Sequence, residues 1–219
     1  MTALWGIHIA DGLVRESWLI GGYCIAAVLL VLSVVKIDAN KMPLIALMSS
    51  AFFVASLIHI KMPGTSVHLL FNGVVGLLLG RFAPMAIFMG LTLQATLFGH
   101  GGWTTLGVNT VIMTLPALMC GFIVRRSIRR GNLRQTKWRW LVGFSLGGCS
   151  VLLTLALYTL VLLIGTHESH DLSKLAYFVL VAHLPVIFIE AMITATLLDF
   201  LFRVQPSLLG VPDLRVGPT

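Results

Sequence analysis

The run Thr104–Val124 (TTLGVNTVIMTLPALMCGFIV) is followed by Arg125–Arg139 (RRSIRRGNLRQTKWR) and then by Trp140–Ile164 (WLVGFSLGGCSVLLTLALYTLVLLI). Each apolar run is long enough to cross a hydrocarbon core as a helix, which takes about 17–25 residues. Between them lie seven basic side chains: Arg125, Arg126, Arg129, Arg130, Arg134, Lys137 and Arg139. A basic cluster between two spans marks a cytoplasmic loop. Working outward, spanning runs recur at Trp18–Val35, Pro43–Ile60 and Leu175–Phe202. Two shorter ones, Val67–Gly80 and Pro84–Phe98, are split by Arg81 and Pro84. Read as two crossings, they bring the total to about seven transmembrane helices. The fold class is therefore all-α, a polytopic membrane helix bundle. Residues 1–219 form a single membrane domain, with 1–17 as an N-terminal segment and 125–139 as the basic loop. A re-entrant hairpin over Val67–Phe98 keeps the same parity.

Composition agrees. Of 219 residues, 58% are hydrophobic and only 11% charged, against about 25% charged in an average soluble domain. A chain this apolar cannot cover itself in water, which excludes a soluble enzyme, a disordered tail and a secreted disulfide scaffold. The net charge of +7 is concentrated in one loop, so it indicates orientation in a lipid bilayer and no nucleic-acid partner. With the N-terminus outside and the C-terminus cytoplasmic, twelve basic residues fall inside. Three fall outside: Arg15, Lys61 and Lys174. That asymmetry is the positive-inside pattern of a multi-pass protein of the cell (inner) membrane. Cys24, Cys120 and Cys149 are scattered singly through apolar runs and read as packing residues. No removable signal peptide is apparent.

Most histidines gather on the outer side under this topology. His8 precedes Asp11, His59 and His68 flank Lys61-Met-Pro-Gly-Thr-Ser66, and His100 opens Gly99-His-Gly-Gly-Trp103. Imidazole is the commonest transition-metal side-chain ligand, although scattered membrane histidines also serve as packing residues. His68 leads into a Gly-rich helix (Gly73, Gly76, Gly80) that another backbone can approach closely. Gln94, His100 and Asn109 add polar groups that must face one another or a cavity. Glu190 stands in mid-span with His183 two turns away on the same helical face. They are either an intramembrane polar pair that works in transport or structural hydrogen-bonding groups. Gly143-Phe-Ser-Leu-Gly147 matches a nucleophile motif, but in a membrane helix it reads as small-residue packing. His167-Glu-Ser-His170 lacks zinc-protease spacing and reads as an exposed loop. No G-x-x-x-x-G-K-[ST] pattern occurs, so no route to ATP hydrolysis by such a loop is legible.

Four ordered motifs then carry a resemblance over most of the chain. They are His8-Ile-Ala-Asp-Gly12, Gly64-Thr-Ser-Val-His-Leu69, Gly99-His-Gly-Gly-Trp-Thr-Thr-Leu-Gly-Val-Asn109 and His183-Leu-Pro-Val-Ile-Phe-Ile-Glu190. Together they resemble the cobalt/nickel substrate-binding membrane component (CbiM/NikM type) of energy-coupling-factor transporters. The resemblance implies an N-terminal segment folded back into the bundle to hold Ni(II) or Co(II) as transported ligand, with no catalytic cofactor. It assigns metal ligation to His8 and His68, with Ile7, Asp11, Thr65, Ser66, Gln94, His100 and Asn109 in the surrounding pocket. It also implies partners: ATP-binding subunits, a coupling membrane subunit and a small accessory membrane protein. Planar nitrogen coordination would suit Ni(II) better than Zn(II), which prefers a tetrahedron.

The sequence departs from the family at one place. The family has its ligand histidine at position two, whereas six residues precede Ile7-His8 here. Processing before Ile7, a start at Ile7, or a real extension with altered coordination would each account for this. The expectation is weaker metal binding in the full-length chain than in a version starting at residue 7. Two other functions compete: a proton-coupled secondary transporter using Glu190 and His183, and an intramembrane hydrolase using Ser145.

Overall fold

A computed structural model of the chain describes residues 8–35, 37–62, 65–166 and 172–210. Ile7, His167 and His170 lie outside the described residues, as do the side chains of Thr65 and Ser66. The helices are α1 (Glu16–Val34), α2 (Met42–Leu57), α3 (Asn72–Leu79), α4 (Ala83–Phe98), α5 (Leu106–Arg129), α6 (Thr136–Gly165), α7 (Leu172–Ala182) and α8 (Leu184–Val204). Strands β1 (His59–Met62) and β2 (Thr65–His68) form an antiparallel hairpin after α2. Among the described residues, six stretches are long and apolar enough to cross a membrane. Helices are the solution because a spanning backbone must bond its own N–H and C=O groups in lipid. Ile20, Val28, Leu47, Val54, Leu141 and Phe188 lie exposed on the outside of the bundle, a surface suited to lipid. The chain is a multi-pass membrane protein.

Small residues set how closely the helices approach. A Cβ on Gly147 would lie 2.6 Å from the Glu190 carbonyl oxygen, and one on Gly143 would lie 2.6 Å from Ala195 Cα. The two glycines of the nucleophile-like motif thus let α6 and α8 touch, while Ser145 is exposed. Gly22 on α1 meets Val108 of α5 in the same way, at 2.5 Å.

Contacts of this kind also give the direction of each helix. Gly76 abuts Ala117, and Gly80 abuts Arg125, so α3 runs alongside α5 in the same sense. At Gly80 the backbone is left-handed (φ +53°), and α4 returns towards His100. The 27-residue apolar stretch Asn72–Phe98 is therefore bent back on itself at Gly80–Phe82. The bundle has two ends. One gathers His8, His59, His68 and His100. At the other, Arg81 bonds the Val35 carbonyl, and Arg139 pairs with Asp199.

Three expectations need correction. Val67–Gly80 is not a helical span throughout: Val67 and His68 belong to β2, and Phe71 is left-handed (φ 60°). The helix begins at Asn72, so α3 is only about 12 Å long at 1.5 Å per residue. Leu175–Phe202 is broken at His183, where Pro185 opens α8, because proline is tolerated in a first helical turn and not further in. The basic loop is short: Arg125, Arg126 and Arg129 sit on the last turns of α5, while Lys137 and Arg139 sit on the first turn of α6.

Candidate functional site

The N-terminal segment is clamped onto the start of α5. Ile9 N–H donates to Asn109 Oδ1 (3.0 Å), and the Ile9 carbonyl accepts from Asn109 Nδ2 (3.0 Å) and Thr105 Oγ1 (2.7 Å). One side chain thus satisfies both polar groups of a buried peptide. The Asp11 carboxylate accepts from the amides of Trp103 (3.1 Å), Thr104 (2.9 Å) and Thr105 (3.2 Å), and from the Thr104 hydroxyl (2.5 Å). These amides precede the first turn of α5, where a helix leaves donors unbonded and favours an anion. Gly101 and Gly102 make room. A Cβ on Gly101 (φ +78°) would lie 3.1 Å from Asn109 Nδ2 and 3.6 Å from His8 Cβ, and one on Gly102 would overlap the Asp11 carboxylate.

This clamp carries His8 to His68. Their rings stack with centroids 5.0 Å apart and planes at 13°. His100 stands edge-on to both, 5.9 Å from each. His59 and His68 are cross-strand partners in the hairpin, which holds His59 5.7 Å from both His68 and His100. Burial is graded: His68 is 1% exposed and His8 5%, His100 is intermediate, and His59 is exposed.

The lone pairs in this cluster are unspent. His68 Nδ1 donates to the Leu69 carbonyl (3.0 Å), so Nε2 is the unprotonated nitrogen, and it has no partner among the described residues. Neither ring nitrogen of His8 is bonded. Burial pushes the His68 imidazole down to about 4; the Leu69 bond opposes this, and His100, His59 and His183 add to it. Burial also holds His8 well below the usual histidine range, with His68 and His100 contributing. His100 is lowered by burial and then by His59. Neutral, buried, unpaired imidazoles are what a transition-metal ion requires. As they stand, no three His, Cys, Asp or Glu side chains among the described residues converge on one ion position. The stacked rings of His8 and His68 must turn edge-on to share one.

The remaining expected residues divide. Gln94 is buried with both amide atoms unpaired, and its backbone carbonyl accepts from His100 N–H (3.2 Å). Asn109 and Asp11 bond the N-terminal segment and α5, not an imidazole. Glu190 Oε1 accepts from the amides of Leu70 and Phe71, both at 2.7 Å. It thereby anchors the linker that follows His68. His183 Nδ1 donates to the Val179 carbonyl (2.6 Å); among the described residues no hydrogen bond joins it to Glu190. Sequence reasoning passed over His59, Thr104 and Thr105 as site residues. The turn dipeptide Pro63-Gly64 between two histidine-bearing runs was the available signal for His59.

Residues 8–208 match the family described as the cobalt uptake substrate-specific transmembrane region, CbiM. The chain belongs to the CbiM family. It is 30% identical over 204 residues to a putative metal transport protein of Haemophilus influenzae, covering 93% of this chain and 97% of that one. It is also 28% identical over 220 residues to the cobalt transport protein CbiM of Geobacter sulfurreducens, covering 94% of this chain and 63% of that one. The fold matches a solved transition metal transporter with a TM-score of 0.70 at 21% identity, covering 90% of this chain and 93% of that one. This CbiM-family chain is a cobalt/nickel-type transport component.

Proposed function

We propose that this chain is the substrate-binding membrane subunit of an energy-coupling-factor uptake system, taking Co(II) or Ni(II) at its histidine end, which faces outside. The single observation behind this reading is the meeting of His8 and His68. Two residues far apart in sequence are brought ring to ring, buried, with free lone pairs. Their ligation of the ion is part of the proposal, and the ion is cargo. ATP-binding subunits and a coupling membrane subunit supply the energy, because this chain has no phosphate-binding loop of its own. A small accessory membrane protein completes the set.

Titration of the purified full chain in detergent with Ni(II) and with Co(II) tests the reading. The native chain should bind one ion, and His68→Ala should bind none with comparable affinity. Native-like binding by both His68→Ala and His8→Ala would sink it. Orientation is tested separately in a background with Cys24, Cys120 and Cys149 changed to Ser. Glu16→Cys should react with an impermeant thiol reagent in intact cells and Gly131→Cys should not; the reverse labelling would invert the topology.

A further inference from the structure

We infer that His59 is a metal ligand, the outermost of four imidazoles that close one site with His100, His8 and His68. This rests on the proposed metal-capture role and adds to it a donor that lies outside the four motifs carrying the resemblance.

The spacing supports a shared ion. With a metal–nitrogen bond of ~2.0 Å, a ligating ring has its centroid ~3.2 Å from the ion, so neighbouring rings have centroids ~4.5 Å apart on a planar ion and ~5.2 Å apart on a tetrahedral one. Successive rings around the circuit His8–His68–His59–His100 lie 5.0, 5.7, 5.7 and 5.9 Å apart. The rings lie within reach of one centre, and their side chains must reorient to meet there.

The hydrogen bonding of His59 supports the same role. Its Nδ1 lies 3.0 Å from the Leu57 carbonyl, and a carbonyl only accepts, so Nδ1 carries the proton and Nε2 the lone pair. His68 is held the same way by Leu69. Ligating histidines are characteristically oriented by such a bond from the other ring nitrogen. The two rings are tied together by the strand register, which pairs His59 with His68 directly. Exposure of His59 and burial of His68 give the site a mouth and a floor. A hydrated ion meets His59 first and exchanges its waters for imidazoles as it moves in. Four side-chain nitrogens make a complete four-coordinate shell.

The test uses the full chain in detergent, loaded with Co(II) or Ni(II) alone. X-ray absorption of the loaded native chain should count four imidazoles. His59→Asn keeps an N–H able to reach the Leu57 carbonyl and removes the ligand nitrogen. It should count three and bind ~10–100-fold more weakly, a loss of the size seen when metal sites lose a supporting histidine contact. Thermal unfolding without metal checks that the variant folds. Should it fail to fold, the imidazole count of the native chain decides by itself: three or fewer overturns the inference. If His68→Ala loses binding while His59→Asn keeps native affinity, the inference fails and the capture role stands. If His68→Ala and His8→Ala both bind normally, both readings fail together.

Discussion

The two ends of the bundle each bury polar side chains, and they treat them in opposite ways. At the arginine end, Arg139 is 5% exposed and every guanidinium nitrogen has a partner. Its guanidinium donates to Asp199 Oδ1 (2.6 Å), to the carbonyls of Leu133 (3.1 Å) and Arg134 (2.8 Å), and to Thr136 Oγ1 (2.8 Å). Its flat face lies over the Phe202 ring. At the histidine end, three ring nitrogens of His8 and His68 are buried without a partner. Leaving a buried polar atom unbonded costs about 1–3 kcal/mol. A satisfied cluster is part of the architecture, and an unsatisfied one is what the proposed metal capture needs.

The contrast breaks if the two ends respond alike to mutation. The largest effect is expected at His68. His68→Ala should remove high-affinity metal binding, a loss well beyond ~100-fold, while the thermal midpoint of the metal-free chain moves little. Calorimetric titration and unfolding on one preparation read both quantities. Asp199→Ala should do the reverse. Stranding the buried Arg139 should cost about 3–5 kcal/mol of stability, with the folded fraction binding metal as before. A metal defect in that variant at full folding would erase the distinction.

Smaller effects sharpen it. Asn109→Ala removes both bonds to the Ile9 peptide and touches no imidazole. Affinity should fall ~10–100-fold through misplacement of His8, as for loss of an orienting partner, with His68 still able to bind. A double variant with His8→Ala should then show no further loss, and independent losses would refute the clamp. The smallest effect belongs to Arg203, which pairs with Asp199 at 2.5 Å but is 58% exposed. Exposed pairs contribute about 0–1 kcal/mol, so Arg203→Ala should leave both stability and binding within about 1 kcal/mol of native.

Membrane character and most span positions were legible in the sequence because they depend on local quantities. An apolar run of sufficient length must cross as a helix wherever its neighbours lie, and a basic cluster orients it. His8 and His68 were legible through motif order. Several features were not, because each depends on which segments meet. The Leu70 and Phe71 amides need an acceptor buried in the bundle, and Glu190, far along the chain, supplies it. Asp11 reads as a pocket acid, yet its oxygens are taken up by the donors ahead of α5. His59 gains its place only when the hairpin register sets it opposite His68. The break at His183 falls inside a continuous apolar run, which hydropathy cannot divide. Spacing along a helix reports which residues share a face. Only packing decides which faces touch, and the histidines of this chain meet where the N-terminal segment, a hairpin and the start of α5 come together.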